Sequence, residues 1–527
     1  MLWNERKVFM GLTQIVLPSL LQHEWKMGPV CLIIPPSVFL MDERVFMTLG
    51  VLRIAAVLEQ ARVPVEVLDL SGISNFTEAV ADHTQSSTAK CFGITATTPQ
   101  LPSATKIARA IRAVRSGARI ILGGPHITLV NAAFKRERKE GRIGRAVDAM
   151  SSLEKLFDCL VAGDGEEAIF EAYKTGAPKI VDADDPKSSL FLTSHKLTAL
   201  PFPARELVDV GSYHYSIDGR RAYSLIAQLG CPFDCGFCGG RESPMLRRVR
   251  TRTSESIVAE MLHMHRTMDC SGFMFYDDEL NVNPKMLELM ELISKTQKDL
   301  GVEWRLRGFI KAELFTESQA EAMYEAGFRW ILTGFESGSP SILRAINKKA
   351  TREDNTRCVE IAKKYGLKVK ALMSIGHPGE SMVTVGVTKD WLLEVKPEAF
   401  DLTIITCYPG TPYYDLAVPH QKWPGIWVYT YQKTGDTLFQ VEVDFTEVAD
   451  YYKGDPDGGY QSYVFTEGLS REDLVSIRGA VEREVRDRLA IPYDVGAPST
   501  RYEHSMGQMG PLPSNILRVS VRIPATK

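Results

Sequence analysis

Residues 229–240 read "LGCPFDCGFCGG" and hold Cys231, Cys235 and Cys238, with glycines around them and Phe237 just before the last. A structural zinc site usually takes four nitrogen or sulfur ligands, and the nearby flanks add only His214. A disulfide framework needs an even number of cysteines and an oxidising compartment, and this chain has nine cysteines. Three sulfurs on one short loop leave one coordination position of a metal centre open.

Working outward, the loop follows "YSLIAQL" (223–229), the first of six strand-like runs. The others are "GFMFY" (272–276), "EWRLRGF" (303–309), "FRWILTG" (328–334), "LKVKALMSI" (367–375) and "FDLTIIT" (400–406). Helical runs lie between them: 253–268 opens on a capping residue, and 283–300 has Asn283 as cap and Pro284 at the first helical position. The runs 316–327 and 351–366 start on threonine and end on glycine. Six βα units in succession predict a barrel or partial barrel over 223–415, with its chemistry at the carboxyl ends of the strands. The cysteine loop follows the first strand and so falls at that end.

Upstream, 29–185 alternates in the same way. Strand runs at 29–36, 63–70, 89–98 and 118–124 and at the start of 158–173 are continuously apolar, which predicts a parallel sheet covered on both faces. Ligands of such sheets sit beyond the strands' carboxyl ends, where the turns "TATT" (95–98), "GGPH" (123–126) and "GDGE" (163–166) fall. Residues 1–28 read as an irregular extension, and 175–222 as connecting sequence, with the linker proper over 186–222. The last region, 416–527, reads as a small α+β cap with aromatic segments, one long helix at 470–489 and an irregular tail from 495. The fold class is thus α/β: a doubly wound Rossmann-like domain, a partial (β/α)6 barrel and a small α+β C-terminal region.

The 527 residues are too many for one core. With 44% hydrophobic and 24% charged residues the chain is globular. A net charge of −3 gives no basic excess for a nucleic-acid backbone, and "RRVRTR" (247–252) reads as a solvated loop. No run is long and apolar enough to predict a membrane span. The N-terminus lacks a small-residue cleavage site, so no signal peptide is expected. Cys31, Cys91, Cys159, Cys270, Cys358 and Cys407 are scattered singly and read as buried reduced thiols of a cytoplasmic protein.

Thiolates bind iron–sulfur clusters, and three of them can hold three irons of a 4Fe-4S cubane while the fourth takes a small-molecule ligand. Gly236, Gly239 and Gly240 let the backbone approach such a cluster closely. The loop resembles the cluster motif of the radical S-adenosylmethionine (SAM) superfamily, in which the open iron chelates SAM and electron transfer cleaves it to a 5′-deoxyadenosyl radical. Other segments resemble the family's in the same order. "FYDDEL" (275–280) stands where the family contacts the methionine amino group, "GFESGS" (334–339) where it contacts ribose, and "IGHPGE" (375–380) on the adenine side; "CYPGTP" (407–412) follows the sixth strand. The resemblance implies Cys231, Cys235 and Cys238 as iron ligands, with Phe237 shielding the cluster or serving as a core aromatic. It gives SAM contacts to at least one of Asp277, Asp278 and Glu279, to Glu336 and Ser337 at the ribose, and to Gly376. Arg307 is expected to pair with the SAM carboxylate or to form a surface ion pair, and Glu279 is alternatively a ligand of the open iron.

A doubly wound domain ahead of the barrel resembles the cobalamin-binding members of this superfamily, over roughly 29–415. It implies cobalamin contacts at Thr95, Thr97 and Thr98, at Gly123, Gly124, Pro125 and His126, and at Gly163, Gly165 and Glu166. The loop after the first strand, "PPSVFLMDERVF" (35–46), carries no histidine to stand beneath cobalt. The implied reaction is methyl transfer from SAM through methylcobalamin to an unactivated carbon or phosphorus, one SAM methylating cobalt(I) and a second supplying the radical. The same cofactors also serve oxidative cyclisation or rearrangement without methyl transfer, and an iron–sulfur electron carrier is a further alternative. Implied partners are a small-molecule or carrier-bound substrate and an external electron donor such as flavodoxin or ferredoxin. No general base is identified. The aromatic residues Tyr429, Tyr431, Tyr451 and Tyr452 either line the pocket or pack the cap.

Overall fold

A computed structural model describes residues 27–38, 40, 42–451 and 460–492. Most of the expected N-terminal extension, Tyr452 and the tail from 495 lie outside the described residues.

The first sheet is built from β1 (Val30–Ile34), β2 (Val65–Asp69), β3 (Cys91–Thr95), β4 (Arg119–Gly123), β5 (Cys159–Gly163) and β6 (Ile180–Ala183). All run parallel, in the order β2-β1-β3-β4-β5-β6. The central strand β1, "VCLII", is buried at every position because helices cover both faces. These helices are α1 (Leu49–Gln60), α2 (Phe76–Ser86), α3 (Leu101–Val114), α4 (Pro125–Lys139), α5 (Arg145–Leu156) and α6 (Gly165–Tyr173). The chain crosses from one side of β1 to the other between β2 and β3, which opens a crevice at the carboxyl ends of β1 and β3. Strand β6 falls within sequence expected to be a connection. It is a four-residue edge strand with alternating burial, too short to give an apolar run.

A connection containing α7 (Ser194–Ala199) leads to the second sheet, which begins with the hairpin β7 (Ser216–Ile217) and β8 (Arg220–Leu225). The cysteine loop comes next, its base framed by β9 (Gln228–Leu229) and β10 (Arg250–Thr251) with α8 (Pro244–Arg247) between. Then follow α9 (Ser254–Thr267), β11 (Gly272–Phe275), α10 (Met286–Leu300), β12 (Arg305–Phe309), α11 (Glu317–Glu325), β13 (Phe328–Glu336), α12 (Pro340–Ala345), α13 (Arg352–Lys364), β14 (Lys368–Ile375), α14 (Met382–Val395) and β15 (Ala399–Ile404). β8 and β11 to β15 form a parallel half-barrel in sequence order, with β7 antiparallel on its edge. Thr253, Thr316, Thr351 and Ser381 cap their helices by accepting an N–H three residues on. The start of α10 differs from expectation: Asn283 Oδ1 accepts from Lys285 N (2.9 Å) and forms a turn, and the helix begins at Met286.

The C-terminal region holds α15 (Pro412–Asp415), an antiparallel sheet of β16 (Val418–Pro419), β17 (Ile426–Thr430), β18 (Thr437–Val441) and β19 (Val464–Phe465), and α16 (Arg471–Leu489). α16 covers the edge strand β15: Arg478 Nε donates to Leu402 O (2.8 Å) and Glu482 Oε1 accepts from Leu402 N (2.8 Å). The six scattered cysteines are buried free thiols. Among the described residues no helix is long and apolar enough to cross a membrane.

Candidate functional site

The cysteine loop is fixed from several directions. Cys231 N donates to Leu246 O (2.9 Å), Gly236 N to Ile346 O (2.8 Å), and Asn347 Nδ2 to Asp234 O (2.9 Å). Arg247 donates to the carbonyls of Pro232 (2.9 Å) and Phe233 (3.2 Å) and pairs with Asp234. A methyl group on Gly236 would strike the Tyr413 ring at 2.6 Å, so the loop lies flat against that ring. Cys231 and Cys235 are half-buried, and Cys238 is exposed. Yet burial pushes the Cys231 thiol up to about 11 and the other two thiols upward as well, and for Cys231 and Cys238 charge on neighbouring sulfurs adds to this. The three sulfurs stand close enough to act on one another's charge, and three thiolates brought together in this way require cationic compensation. This donor set fits an iron–sulfur cluster.

The acidic segment after β11 divides its roles. Asp277 is buried, and its Oδ1 accepts from Ala227 N (2.8 Å) and Gln228 N; Asp278 Oδ2 accepts from Gly230 N (2.9 Å). Both carboxylates therefore hold the base of the cysteine loop. Glu279 makes no such bond to the loop among the described residues: burial pushes it up to about 7 against the pull of Lys348 and Lys311, and its charge acts on Cys231 and Cys235, as that of Asp278 acts on Cys231 and Cys238.

Glu336, expected at ribose, ends β13 across a β-bulge with φ +66°, an uncommon conformation for a non-glycine residue. Its Oε1 meets Lys348 Nζ (3.3 Å) and its Oε2 accepts from Ser374 Oγ (2.8 Å). Ser374 Oγ also bonds His377 Nε2 (2.8 Å), and His377 Nδ1 lies 3.5 Å from Tyr413 Oη. The His377 ring packs edge-on to Phe237, with centroids 5.4 Å apart. Burial, then Lys348, depress His377 to about 3, so its imidazole is neutral. Lys348 and Ser374 carry no motif signal in the sequence, and His377 stands out there only as part of "IGHPGE".

Ser337 and Arg307 stand elsewhere than expected. The Ser337 hydroxyl is fully buried, bonded to Thr388 Oγ1 (2.9 Å) and accepting from Ser339 N (3.0 Å) within the turn into α12. Arg307 is in mid-strand, 2% exposed, with its guanidinium 5.2 Å from the Trp330 ring and its charge acting on Tyr215. It belongs to the interior of the half-barrel, neither at its mouth nor in a surface pair. Gly376 (φ +90°) closes β14 against Val464 and Leu474 of the C-terminal region.

At the carboxyl ends of β3 and β4, Thr95, Gly123 and Gly124 are half-exposed, and Thr97 and Pro125 are exposed. A methyl on Gly123 would meet nothing, whereas one on Gly124 (φ +97°) would strike Thr95 Oγ1 at 2.6 Å. An open, glycine-floored crevice of this kind fits a ligand tail. Thr98 and His126 are bonded to each other (Oγ1 to Nδ1, 3.1 Å); His126 is 2% exposed, packs near Phe445, and is pushed down to about 4 by burial. Asp164 is paired with Arg250 (2.6 Å) and accepts from Leu192 N (2.9 Å); Gly163 abuts the Ala183–Asp184 backbone; Gly165 faces Ile54; and Glu166 is buried. Gly163, Gly165 and Glu166, expected as cofactor contacts, are packed within the first domain, and Asp164 ties the "GDGE" turn to Arg250 of β10. Of the aromatics, Tyr429 packs at a tilt against Tyr413 (centroids 4.7 Å apart), and Tyr451 joins Tyr408 and Phe445 near His126.

The fold and the three-cysteine loop define a radical SAM half-barrel joined to a doubly wound ligand domain. The Radical SAM superfamily profile matches residues 225–392, and the B12 binding domain profile matches 43–154. The chain belongs to the cobalamin-binding group of the radical SAM superfamily, whose cofactors are a 4Fe-4S cluster, SAM and cobalamin. It is 28% identical to an uncharacterised methyltransferase of Pyrococcus horikoshii over 62% of this chain and 69% of that one. It is 23% identical to the anaerobic magnesium-protoporphyrin IX monomethyl ester cyclase of Rubrivivax gelatinosus, over 60% of this chain and 56% of that one. The fold is similar to that of TsrM, a radical SAM methyltransferase from Kitasatospora setae solved with cobalamin and a 4Fe-4S cluster bound. The TM-score is 0.61 at 18% identity, covering 86% of this chain and 91% of that one.

Proposed function

We propose that this chain is a cobalamin-dependent radical SAM methyltransferase acting on an unactivated carbon, or phosphorus, of a small-molecule or carrier-bound intermediate in the cytoplasm. The observation that carries the reading is the meeting of the two ligand ends. Leu129, one turn into α4 behind the Gly123–His126 turn, lies against both Gly239 of the cysteine loop and Gly410 of the turn after β15. The crevice of the first sheet and the mouth of the half-barrel therefore open toward each other.

When bound, the cluster with SAM supplies a carbon-centred radical able to take hydrogen from unactivated carbon, and cobalamin supplies a carrier for a methyl group. The chain's residues hold and shield these groups. Cys231, Cys235 and Cys238 hold the cluster, and Asp277 and Asp278 fix the loop that carries them. Glu279, Lys348 and Glu336 offer charged and hydrogen-bonding groups for the amino-acid and ribose ends of SAM, and Ser374 and neutral His377 hold Glu336 in place. Thr95, Thr97, Gly123, Gly124 and Pro125 form the floor for cobalamin. Tyr408, Phe445 and Tyr451 wall the shared space and exclude water. The electron comes from an external donor of the flavodoxin or ferredoxin class.

The test is SAM labelled in its methyl group, incubated with reduced enzyme and a metabolite extract. Label in a new product supports the methyltransferase. A new product without label supports the second reading, oxidative cyclisation, which the Rubrivivax relative favours.

A further inference from the structure

Away from the half-barrel, on the β2 side of the first sheet, three metal-ligating side chains of different kinds meet. Cys31 on β1 and Glu66 on β2 are direct register partners, so they project from the same face. His83 comes from α2. Cys31 Sγ lies 3.7 Å from His83 Nε2, and His83 Nε2 lies 3.3 Å from Glu66 Oε1. All three ligand atoms fall within 4.8 Å of one another. Bond lengths of about 2.3 Å to sulfur and about 2.1 Å to nitrogen or oxygen give a tetrahedral zinc ion S–N edges of roughly 3.6 Å and N–O edges of roughly 3.4 Å. The S–N separation of 3.7 Å and the N–O separation of 3.3 Å match those edges.

The surroundings hold this set in place. Two of the three ligands stand on adjacent strands. The Ser87 hydroxyl donates to Glu66. Arg115 Nη2 donates to the carbonyls of Thr84 (2.7 Å) and Ser87 (2.9 Å), tying down the end of α2. Cys31 is fully buried, whereas the Glu66 and His83 side chains are 38% and 28% exposed, so the outer side is open to water as a fourth ligand. A thiolate and a carboxylate together neutralise a dication, and the thiolate–imidazole pair selects zinc over calcium or magnesium.

We propose that Cys31, Glu66 and His83 bind one zinc-class divalent cation, with water completing the site, and so pin α2 to the β2 side of the first sheet. Binding releases the Cys31 thiol proton to solvent. No part of the radical chemistry requires this site.

The test uses the full chain with its cluster reconstituted, exposed to zinc, desalted, and analysed for zinc and iron together. About one zinc per chain is expected, lost in Cys31→Ser and in His83→Ala with iron unchanged. Because Cys231, Cys235 and Cys238 also bind metals, Co²⁺ is titrated into the cobalamin-free full chain carrying C231A, C235A and C238A. A thiolate-to-cobalt charge-transfer band with tetrahedral ligand-field absorption should persist there and vanish when His83→Ala is added. If Cys31→Ser fails to fold, His83→Ala and Glu66→Gln, at half-exposed positions, carry the test. Zinc content unchanged by His83→Ala, or no cobalt band in the triple variant, overturns the proposal and leaves a hydrogen-bonded trio without metal.

Discussion

Gly410 lies against the backbone of Leu129. A methyl group on Gly410 would stand 2.9 Å from the Leu129 carbonyl oxygen, at a φ of +80° that already favours glycine. The Leu129 side chain meanwhile faces Gly239, where a methyl would meet Cδ2 at 3.2 Å. One residue of the first domain thus touches both the turn after the last barrel strand and the cysteine loop. The spacing between the two cofactor regions is set by this close approach.

Gly410→Ala is therefore expected to destabilise the protein by about 1–3 kcal/mol through backbone strain and steric contact. It should also weaken cobalamin retention while iron content stays near that of the parent. Gly435→Ala is the control: its φ is +81°, but a methyl there meets nothing, so only the smaller backbone cost of about 1 kcal/mol applies. Thermal melts and cobalt-to-iron ratios of the two variants check this. Equal effects would contradict the special role of the Leu129 contact.

Glu336→Gln removes the negative partner of Lys348 while keeping an amide oxygen that can accept from Ser374. The loss of a charge-assisted contact, about 1.5–3 kcal/mol, corresponds to roughly 10–100-fold weaker SAM binding. Equilibrium binding on cluster-loaded protein measures it, with iron content as the control for folding of the cysteine loop.

Arg250→Met leaves the buried Asp164 carboxyl without its partner, at an expected cost of about 3–5 kcal/mol. The double variant D164N/R250M should recover most of it. Because Asp164 is spent on its pair with Arg250 and is not among the expected cofactor contacts, the double variant should keep its cobalamin affinity. Loss of affinity at recovered stability would return Gly163, Gly165 and Glu166 to the cofactor site.

Glu380 gives a pH signature. It is 2% exposed, and burial raises its pKa from the ordinary 4.5 to about 7. The folded state therefore holds a proton that the unfolded chain releases between those values, so stability falls as pH rises from about 4.5 to about 7. Glu380→Gln removes that dependence, worth roughly 3 kcal/mol. Its melting temperature should exceed that of the parent at pH 8, with the advantage shrinking toward pH 5. A pH-independent difference would show that Glu380 is ionised at neutral pH.

The sequence made the architecture legible because both sheets are parallel and buried, so their strands appear as apolar runs between well-capped helices. Thr316 and Thr351 mark their helices as plainly in sequence as in structure. The edge strand β6 escaped because four residues with alternating burial leave no such run. The cysteines were legible from spacing alone. The partition of Asp277, Asp278 and Glu279 was not, because the bonds to Ala227, Gln228 and Gly230 cross about fifty residues of chain. Lys348 was illegible for the same reason: only the fold brings it to Glu336. Arg307 looked available because strand polarity hides depth, and Trp330 and Tyr215 enclose it inside the barrel.

The most direct test of the central claim is anaerobic reconstitution of the full chain with iron, sulfide and cobalamin, followed by SAM and dithionite. The account predicts about four irons and about one cobalt per chain, with 5′-deoxyadenosine and S-adenosylhomocysteine both formed and the latter only when cobalamin is bound. Iron and 5′-deoxyadenosine without bound cobalt, or S-adenosylhomocysteine formed equally without cobalamin, would contradict it.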